Sequence, residues 1–506
     1  MSTILTTSTP ATAGTSRRAP SLVPYGVVLA LGAVLGFAFL GRSSLFLDET
    51  VSTTLARAPW HRFGQVVLHR ESNGALYFFV LRGWYALGHS EVALRSLSVI
   101  VTVGAVALVM KVAHDLFGRR VALLSGLLLA VDPLVVQYAQ DARGYALSLL
   151  VVSASSALFV QGCRRAPGGW GTWAAYALVS AAGAYVNFWA VLVPVAHVAS
   201  LGFTPPGAAP WRRVVPAVAA MVVLLVPLAV LIHANNAAGV NWASGTTAGK
   251  VFTKVRASVP HAVIDAAAVV GVLAAVALVV AGRRRGRPGW LFDRWPLMLA
   301  VCWFVVPVAL VLVVSFAYMP LFVVRYLIVC APGLVIVVGV GLARLTRGAR
   351  VALVAVLVVG SAAGVARWYH AGSGQDWRGA VAALEGQVRA GDGAVVFPPY
   401  MRIPFEWYLD GHGALARALV PIYPTLGWEL DPLRFDSNFA VSPAAVTRAA
   451  ARHPRVWVVL SGADLYLSQE HDVVSGVEAA GLRPVRSEHF SGIDVIEYSR
   501  SGSSAR

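Results

Sequence analysis

The sequence predicts a polytopic α-helical membrane protein of about eleven transmembrane helices, with a small α/β domain at its C-terminal end. Three observations carry this. Of 506 residues, 57% are hydrophobic and only 13% charged, whereas soluble domains carry about a quarter charged residues. Apolar runs of the roughly 17 to 25 residues that cross a bilayer recur along the first two thirds of the chain, separated by short arginine clusters. Beyond Trp368 the runs shorten and polar residues intersperse.

Residues 1–20 are rich in Ser, Thr, Ala and Pro, include Arg17-Arg18, and are expected to form a disordered cytoplasmic tail. The apolar run that follows has no convincing small-residue cleavage site, so it reads as a retained span rather than a signal peptide. Spans are expected near 23–41, 95–117, 121–139, 145–162, 171–187, 188–204, 213–233, 261–281, 296–317, 326–344 and 350–367. The segment 75–87 is apolar and aromatic but short, and Arg82 interrupts it. Charge parity decides its status. With 75–87 left out, the clusters Arg119-Arg120, Arg164-Arg165, Arg212-Arg213, Arg283 to Arg287 and Arg344 to Arg350 all face the side of Arg17-Arg18, as the positive-inside rule requires. Counting it as a span would move each cluster outside. The segment is therefore expected to lie as an amphipathic helix on the outer surface.

This topology puts the N-terminus inside and the C-terminus outside. Residues 21–368 form the transmembrane domain, with a long extracytoplasmic loop at 42–94, and 369–506 form the extracytoplasmic domain. In the latter, an amphipathic helix (Trp377 to Val388), a strand (Ala394 to Phe397), a second strand (Val456 to Leu460) and a helix near Val473 to Ala480 predict a partly parallel sheet. The formal net charge of +17 falls mostly in the loop clusters, so it sets orientation and leaves no basic domain for nucleic acid. Cys163, Cys302 and Cys330 lie in or beside apolar runs and read as packing residues; the polar C-terminal region has no cysteine for a disulfide or zinc framework. Heavy use of Ala, Val, Gly and Arg points to a GC-rich bacterial genome, and hence to the plasma membrane.

Polar residues at the outer rim carry the chemistry. Asp48-Glu49 closely follows the first span. A carboxylate there can take a proton from an acceptor hydroxyl, or the pair can cap a surface helix through Val51 to Ala56. Asp141-Ala142-Arg143-Gly144-Tyr145 opens the fourth span. Arg143 can bind phosphate through its planar fork, oriented by Asp141 or Tyr145, or can form a locally neutralised pair with Asp141. Arg325-Tyr326 and Arg95 open later and earlier spans in the same way, with snorkelling to the interface as the structural alternative. His69 and Glu71 are candidates for a supporting or acceptor-side role; without metal-ligand spacing, a divalent ion is admitted but not required. Lys250, Lys254 and Arg256 read as a headgroup-facing surface, with a place near a donor phosphate as the alternative, and Trp60, Trp84, Trp242, Trp368 and Tyr25 as an interface belt.

The series Asp48-Glu49, then Glu71-Ser72-Asn73-Gly74-Ala75-Leu76-Tyr77, then Arg95-Ser96-Leu97-Ser98, then Gln137-Tyr138-Ala139-Gln140-Asp141-Ala142-Arg143-Gly144-Tyr145 resembles the C-superfamily of membrane glycosyltransferases (GT-C). The nearest type is the protein O-mannosyltransferase-like and lipid A aminoarabinose transferase-like group; Arg325-Tyr326-Leu327 and Asp376-Trp377-Arg378-Gly379-Ala380 resemble its later segments. The resemblance implies transfer of a sugar, mannose or arabinose, from a polyprenyl-monophosphate donor to a lipid, glycan or protein acceptor. It implies Asp48 as the base of an inverting displacement, Glu49 in support, and Arg95, Arg143 and Arg325 on the donor phosphate. Asn73-Gly74 stands where many relatives have two prolines, a departure that bears on acceptor specificity. Two other classes fit a polytopic chain: a lipid-linked sugar transporter or flippase, and a non-catalytic envelope-assembly protein. Charges gathered at one rim and the lack of an internal repeat argue against a transporter.

Overall fold

The computed structural model describes residues 21–164, 169–234, 294–317, 323–372, 374–424, 427–428, 442–461 and 467–500. The expected tail at 1–20, the residues Trp242, Lys250, Lys254 and Arg256, and the expected span 261–281 lie outside the described residues. Helices follow in the order α1 (Val23–Phe37), α2 (Leu47–Arg57), α3 (Trp60–His69), α4 (Ala75–Tyr85), α5 (Glu91–Phe117), α6 (Arg119–Val131) and α7 (Pro133–Ala139). Then come α8 (Gly144–Arg164), α9 (Trp170–Val186), α10 (Leu192–Ser200), α11 (Trp211–Ala234), α12 (Trp295–Ala317), α13 (Ala331–Arg344) and α14 (Arg347–Ala371).

Among the described residues, six helical stretches are long and apolar enough to cross a membrane: α5, α8, α11, α12, the run Arg325–Arg344 that contains α13, and α14. The pair α6 and α7, bent by 62°, makes a seventh if taken as one span. Pro133 causes the bend. It lacks an amide hydrogen and drives Asp132 to an extended ψ of 123°, and the Asp132 carboxylate then caps α7 by accepting from Leu134 N and Val135 N. The stretches Val23–Phe37 and Phe188–Phe203 are apolar but shorter. The expected first span, 23–41, stops at Phe37 because the chain turns at Phe39, which has φ 59°, and Gln140 Nε2 donates to the freed carbonyls of Gly36 (3.0 Å) and Ala38 (2.7 Å). Segment 75–87 is helical over the 11 residues of α4, too few to cross. Its Arg82 is accounted for: Nη1 donates to Ala58 O at 2.6 Å, closing the end of α2, and the guanidinium lies 3.9 Å from the Trp60 ring.

The bundle core is built of α5, α6, α8, α9, α12 and α13, with Val109, Leu129, Phe159, Trp173, Trp303 and Ile336 fully buried. Close approach of α12 and α13 depends on Gly333, where a Cβ would stand 2.8 Å from Ala300 O and from Phe304 N. Those are backbone atoms that cannot rotate away. Gly333→Ala is therefore expected to force the two helices apart, at a cost of roughly 1–3 kcal/mol, and a lower thermal midpoint of the purified protein would register it. Cys302 and Cys330 are buried and unpaired, and Cys163 is half-buried and unpaired.

Beyond α14 the chain forms α15 (Trp377–Leu384), β1 (Asp392–Phe397), α16 (Arg402–Leu409), α17 (Gly413–Ala418), β2 (Leu419–Tyr423), α18 (Pro443–Ala450), β3 (Arg455–Ser461), α19 (Leu467–Ala479), β4 (Leu482–Phe490) and β5 (Ile493–Arg500). The sheet order is β2-β1-β3-β5-β4. β1 runs parallel to β2 and β3, while β5 is antiparallel to β3 and β4. Every residue of β1 and β3 is buried, as central strands covered on both faces require. The helix expected over 377–388 ends at Leu384, since Glu385 is extended and Gly386 takes φ 73°. One face of this region rests on α2, which brings it beside the rim residues singled out in the sequence.

Candidate active site

Asp48 and Glu49 occupy the first turn of α2 and meet different surroundings. Glu49 is enclosed by protein groups. It is 1% exposed, and its Oε1 accepts from Arg95 Nε (2.7 Å) and Ala142 N (2.9 Å), while Oε2 accepts from Arg95 Nη2 (2.6 Å) and Phe46 N (3.3 Å). Arg95 donates its other N–H groups to the carbonyls of Leu40 (3.0 Å), Ser43 (2.7 Å) and Ser44 (3.1 Å). All five guanidinium donors are thus engaged by protein acceptors. Arg95, expected on the donor phosphate, here directs its donors to protein acceptors, and Glu49, expected in support, holds Arg95 and the amide of Ala142. Glu49 and Arg95 both line the cavity that Asp48 borders. Together they wind the loop 40–46 and fix the start of α2.

Asp48 faces the other way. Its Oδ2 lies 3.8 Å from Arg143 Nη2 and 3.9 Å from Arg325 Nη1, at ion-pair range from both and beyond hydrogen-bond reach of either. Arg143 also points Nη1 toward Asp48 O (3.4 Å) and Ser52 Oγ (3.5 Å). Its ionic partner is therefore Asp48, in place of the local pair with Asp141. The side chain of Asp48 is 32% exposed on the wall of a cavity of about 180 Å³. Asp141, Tyr138, Tyr145 and Arg325 share that wall with the aromatic rings of Phe39, Phe46, Trp368 and Tyr369. A second, smaller cavity of about 70 Å³ is lined by Glu71, Asn73, Arg143, Asn187 and Tyr326. Tyr145 borders both cavities, with its ring 6.4 Å from that of Tyr326, which in turn stacks on Trp189 at 5.3 Å.

The site thus joins Asp48, Asp141, Arg143, Tyr145 and Arg325, with Glu71 and Tyr326 alongside. His69 does not take part: it is exposed, lines neither cavity, and its Nδ1 meets Gln65 O of its own helix at 2.9 Å. Among the described residues no group of three or more His, Cys, Asp or Glu side chains is arranged to hold a metal ion. Trp368, expected in an interface belt, instead donates Nε1 to Gln140 Oε1 at 2.8 Å on the cavity wall. Phe39 and Tyr369 also belong to the wall and had no sequence motif to mark them; only the fold brings the ends of α1 and α14 together.

The electrostatics separate the carboxyls. Burial, and then the neighbouring Glu49 carboxylate, hold Asp141 well above the usual carboxylate range, and its Oδ1 is buried with no hydrogen-bond partner among the described residues. Burial likewise raises Glu71, against the pull of Arg143. Burial opposes the charge on Arg143, but Asp48, Tyr145, Glu71 and Asp141 together outweigh it and hold the guanidinium above its usual range. A carboxyl raised on folding contributes stability that is complete below its unfolded value and lost as pH rises through its folded value. Asp141→Asn is therefore expected to gain on the wild type as pH rises above about 4, read as the difference in thermal midpoint across a pH series; a difference that shrinks with pH would contradict the assignment.

Comparison with known proteins agrees with this architecture. Residues 72–233 match the family model described as dolichyl-phosphate-mannose-protein mannosyltransferase. That stretch takes in Arg95, Asp141, Arg143 and Tyr145 and leaves out Asp48 and Arg325. Crystal structures of ArnT from Cupriavidus metallidurans, in the apo state and bound to undecaprenyl phosphate, superpose with a TM-score of 0.59 at 17% identity, covering 94% of this chain and 97% and 98% of theirs. The archaeal oligosaccharyltransferase AglB from Archaeoglobus fulgidus, in complex with an inhibitory peptide and a dolichol-phosphate, superposes with a TM-score of 0.53 at 11% identity, over 95% of this chain and 75% of that one. No curated protein matches the chain in sequence. The chain thus shares the fold of these solved structures, and residues 72–233 match the mannosyltransferase family model.

Proposed function

We propose that this protein transfers a sugar, mannose as the first candidate, from a polyprenyl-monophosphate donor to an acceptor of the bacterial cell envelope at the outer face of the plasma membrane. The observation that carries the reading is the cavity-lining carboxylate of Asp48, at ion-pair range of the guanidinium groups of both Arg143 and Arg325. In this reaction Asp48 takes the proton of the acceptor hydroxyl, the acceptor oxygen bonds to the anomeric carbon, and the bond from that carbon to the phosphate oxygen breaks. The anomeric configuration inverts. Polyprenyl phosphate leaves with the electron pair, and Arg143 and Arg325 stabilise the charge it gains; cations already in place act without reorganisation. Asp141, whose carboxyl burial and the Glu49 carboxylate push upward, lies on the same wall, while Tyr145 and Tyr326 orient the reactants. Phe39, Phe46 and Trp368 offer apolar faces to the donor.

The test is incubation of purified protein with polyprenyl-phosphate mannose and polyprenyl-phosphate arabinose against lipid, glycan and peptide acceptors. Release of polyprenyl phosphate with a glycosylated product is expected; a folded protein that turns over none of them overturns the reading. Replacing Arg143 or Arg325 by Ala is expected to raise the donor KM and lower kcat together, since each touches the phosphate in both ground and transition states.

The accompanying topology has eleven spans, a cytoplasmic N-terminus, and the 42–94 loop and the 369–506 domain outside the membrane. It is supported by the arginine clusters that share one side and by the shortness of α4. A cysteine placed at His61, an exposed position of α3, is expected to react with an impermeant thiol reagent added to intact cells. Reaction only after lysis would invert the topology.

A further inference from the structure

The chain leading into Asp48 is gripped from two sides, and the mechanism above uses only one. On the membrane side, Arg95 holds the carbonyls of Leu40, Ser43 and Ser44. On the other side, the Tyr408 hydroxyl in α16 accepts from Leu45 N at 2.6 Å and donates to Glu91 Oε1 at 2.5 Å. Ser44 Oγ donates to Gln375 O at 2.6 Å and accepts from Trp377 N at 3.0 Å. Leu47, the residue before Asp48, packs into the apolar core of the C-terminal region, and at the far end of α2 Arg57 pairs with Asp410 at 2.8 Å. Glu91 and Arg95 are one turn apart on α5, so a single helical turn anchors both grips.

We infer that Tyr408 is a positioning residue for the transfer: by tying Leu45 to Glu91 it sets the approach of the Asp48 carboxylate and makes catalysis depend on docking of the C-terminal region against α2. The inference rests on the reading of Asp48 as base. Three features favour a device over an incidental contact. The hydroxyl uses both its donor and its acceptor capacity across elements 317 and 363 residues apart in sequence. Burial, and next the Glu91 carboxylate, hold the phenol well above its usual range, so it keeps the proton it donates. The amide it binds is three residues from the reacting carboxylate, where a small displacement is felt directly; a misplacement of about 1 Å can cost on the order of a hundredfold in rate.

Tyr408→Phe removes the hydroxyl and keeps the ring. It is expected to lower kcat by roughly ten- to a hundredfold with the donor KM within about twofold of wild type. Glu91 also pairs with Arg378, so Glu91→Ala should lower the rate at least as far; the double variant should be no slower than Glu91→Ala alone, and Glu91→Gln, which retains an acceptor oxygen for Tyr408, should recover most of the rate. His412→Ala, which removes a contact to Glu385 elsewhere in the same region, is the control and should leave transfer unchanged. Independently of turnover, amide hydrogen exchange across residues 44–50 is expected to quicken in Tyr408→Phe and not in His412→Ala. Unchanged exchange at 44–50, an unchanged kcat, or additive losses in the double variant would each overturn the positioning role. A wild type that exchanges as expected yet transfers no sugar would instead overturn the function.

Discussion

Asp48→Asn is expected to abolish sugar transfer while leaving the protein folded. The carboxylate is partly exposed on the cavity wall and makes no hydrogen bond on which the fold depends, so the isosteric amide fits the same space. What it lacks is basicity, and loss of a positioned general base costs on the order of 10²–10⁴ in rate. The amide also removes the negative charge between Arg143 and Arg325, so donor binding should hold or strengthen as kcat falls. That opposite movement of the two parameters separates a lost base from general damage. A transporter or an assembly protein has no reason to show it, since neither requires a proton acceptor at this position. Transfer at the wild-type rate in Asp48→Asn would remove Asp48 from the mechanism.

Glu49→Ala should be the more damaging change to the fold. Glu49 and Arg95 are almost wholly buried, with side-chain exposures of 1% and 4%, and each is satisfied only by the other and by loop backbone. Removing one member of a buried pair leaves the other charge uncompensated, which costs roughly 3–5 kcal/mol. Ala142 N would lose its acceptor as well. The expected outcome is a large fall in thermal midpoint and in yield of folded protein, with Arg95→Ala close behind. Activity per folded molecule should fall too, because the loop that carries Asp48 is wound on this pair. A neighbouring pair of carboxylates therefore gives opposite signatures: one variant stable and inactive, the other unstable.

Much of this was legible in the residues. Apolar runs placed the helices because a bilayer imposes their length, and arginine parity kept the segment around Arg82 from being counted as a span. Asp48, Arg143 and Arg325 were marked by charge at span ends, where isolated ionised groups are costly. The different surroundings of Asp48 and Glu49 were not legible, since two adjacent acids at a helix start look alike until the fold shows which one meets Arg95. The contacts of Arg95 were hidden for the same reason: an arginine at the rim binds phosphate or backbone according to whether carbonyls converge on it, and Leu40, Ser43 and Ser44 converge only once α1 ends at Phe37. Tyr408 and Gln375 lie more than 300 residues from the loop they hold, beyond any local pattern. The edge strand β4 escaped notice because its sequence, with Pro484, Arg486 and Glu488, is largely exposed and lacks alternation, as unpaired edges commonly do.

The central claim is a single displacement driven by one base between two arginines, and the anomeric configuration of the product tests it most directly. Transfer from a polyprenyl-phosphate sugar of defined configuration, with the product assigned by nuclear magnetic resonance, is predicted to give complete inversion. Retention would require a covalent sugar–enzyme intermediate, with Asp48 or Asp141 as nucleophile, and would contradict the account.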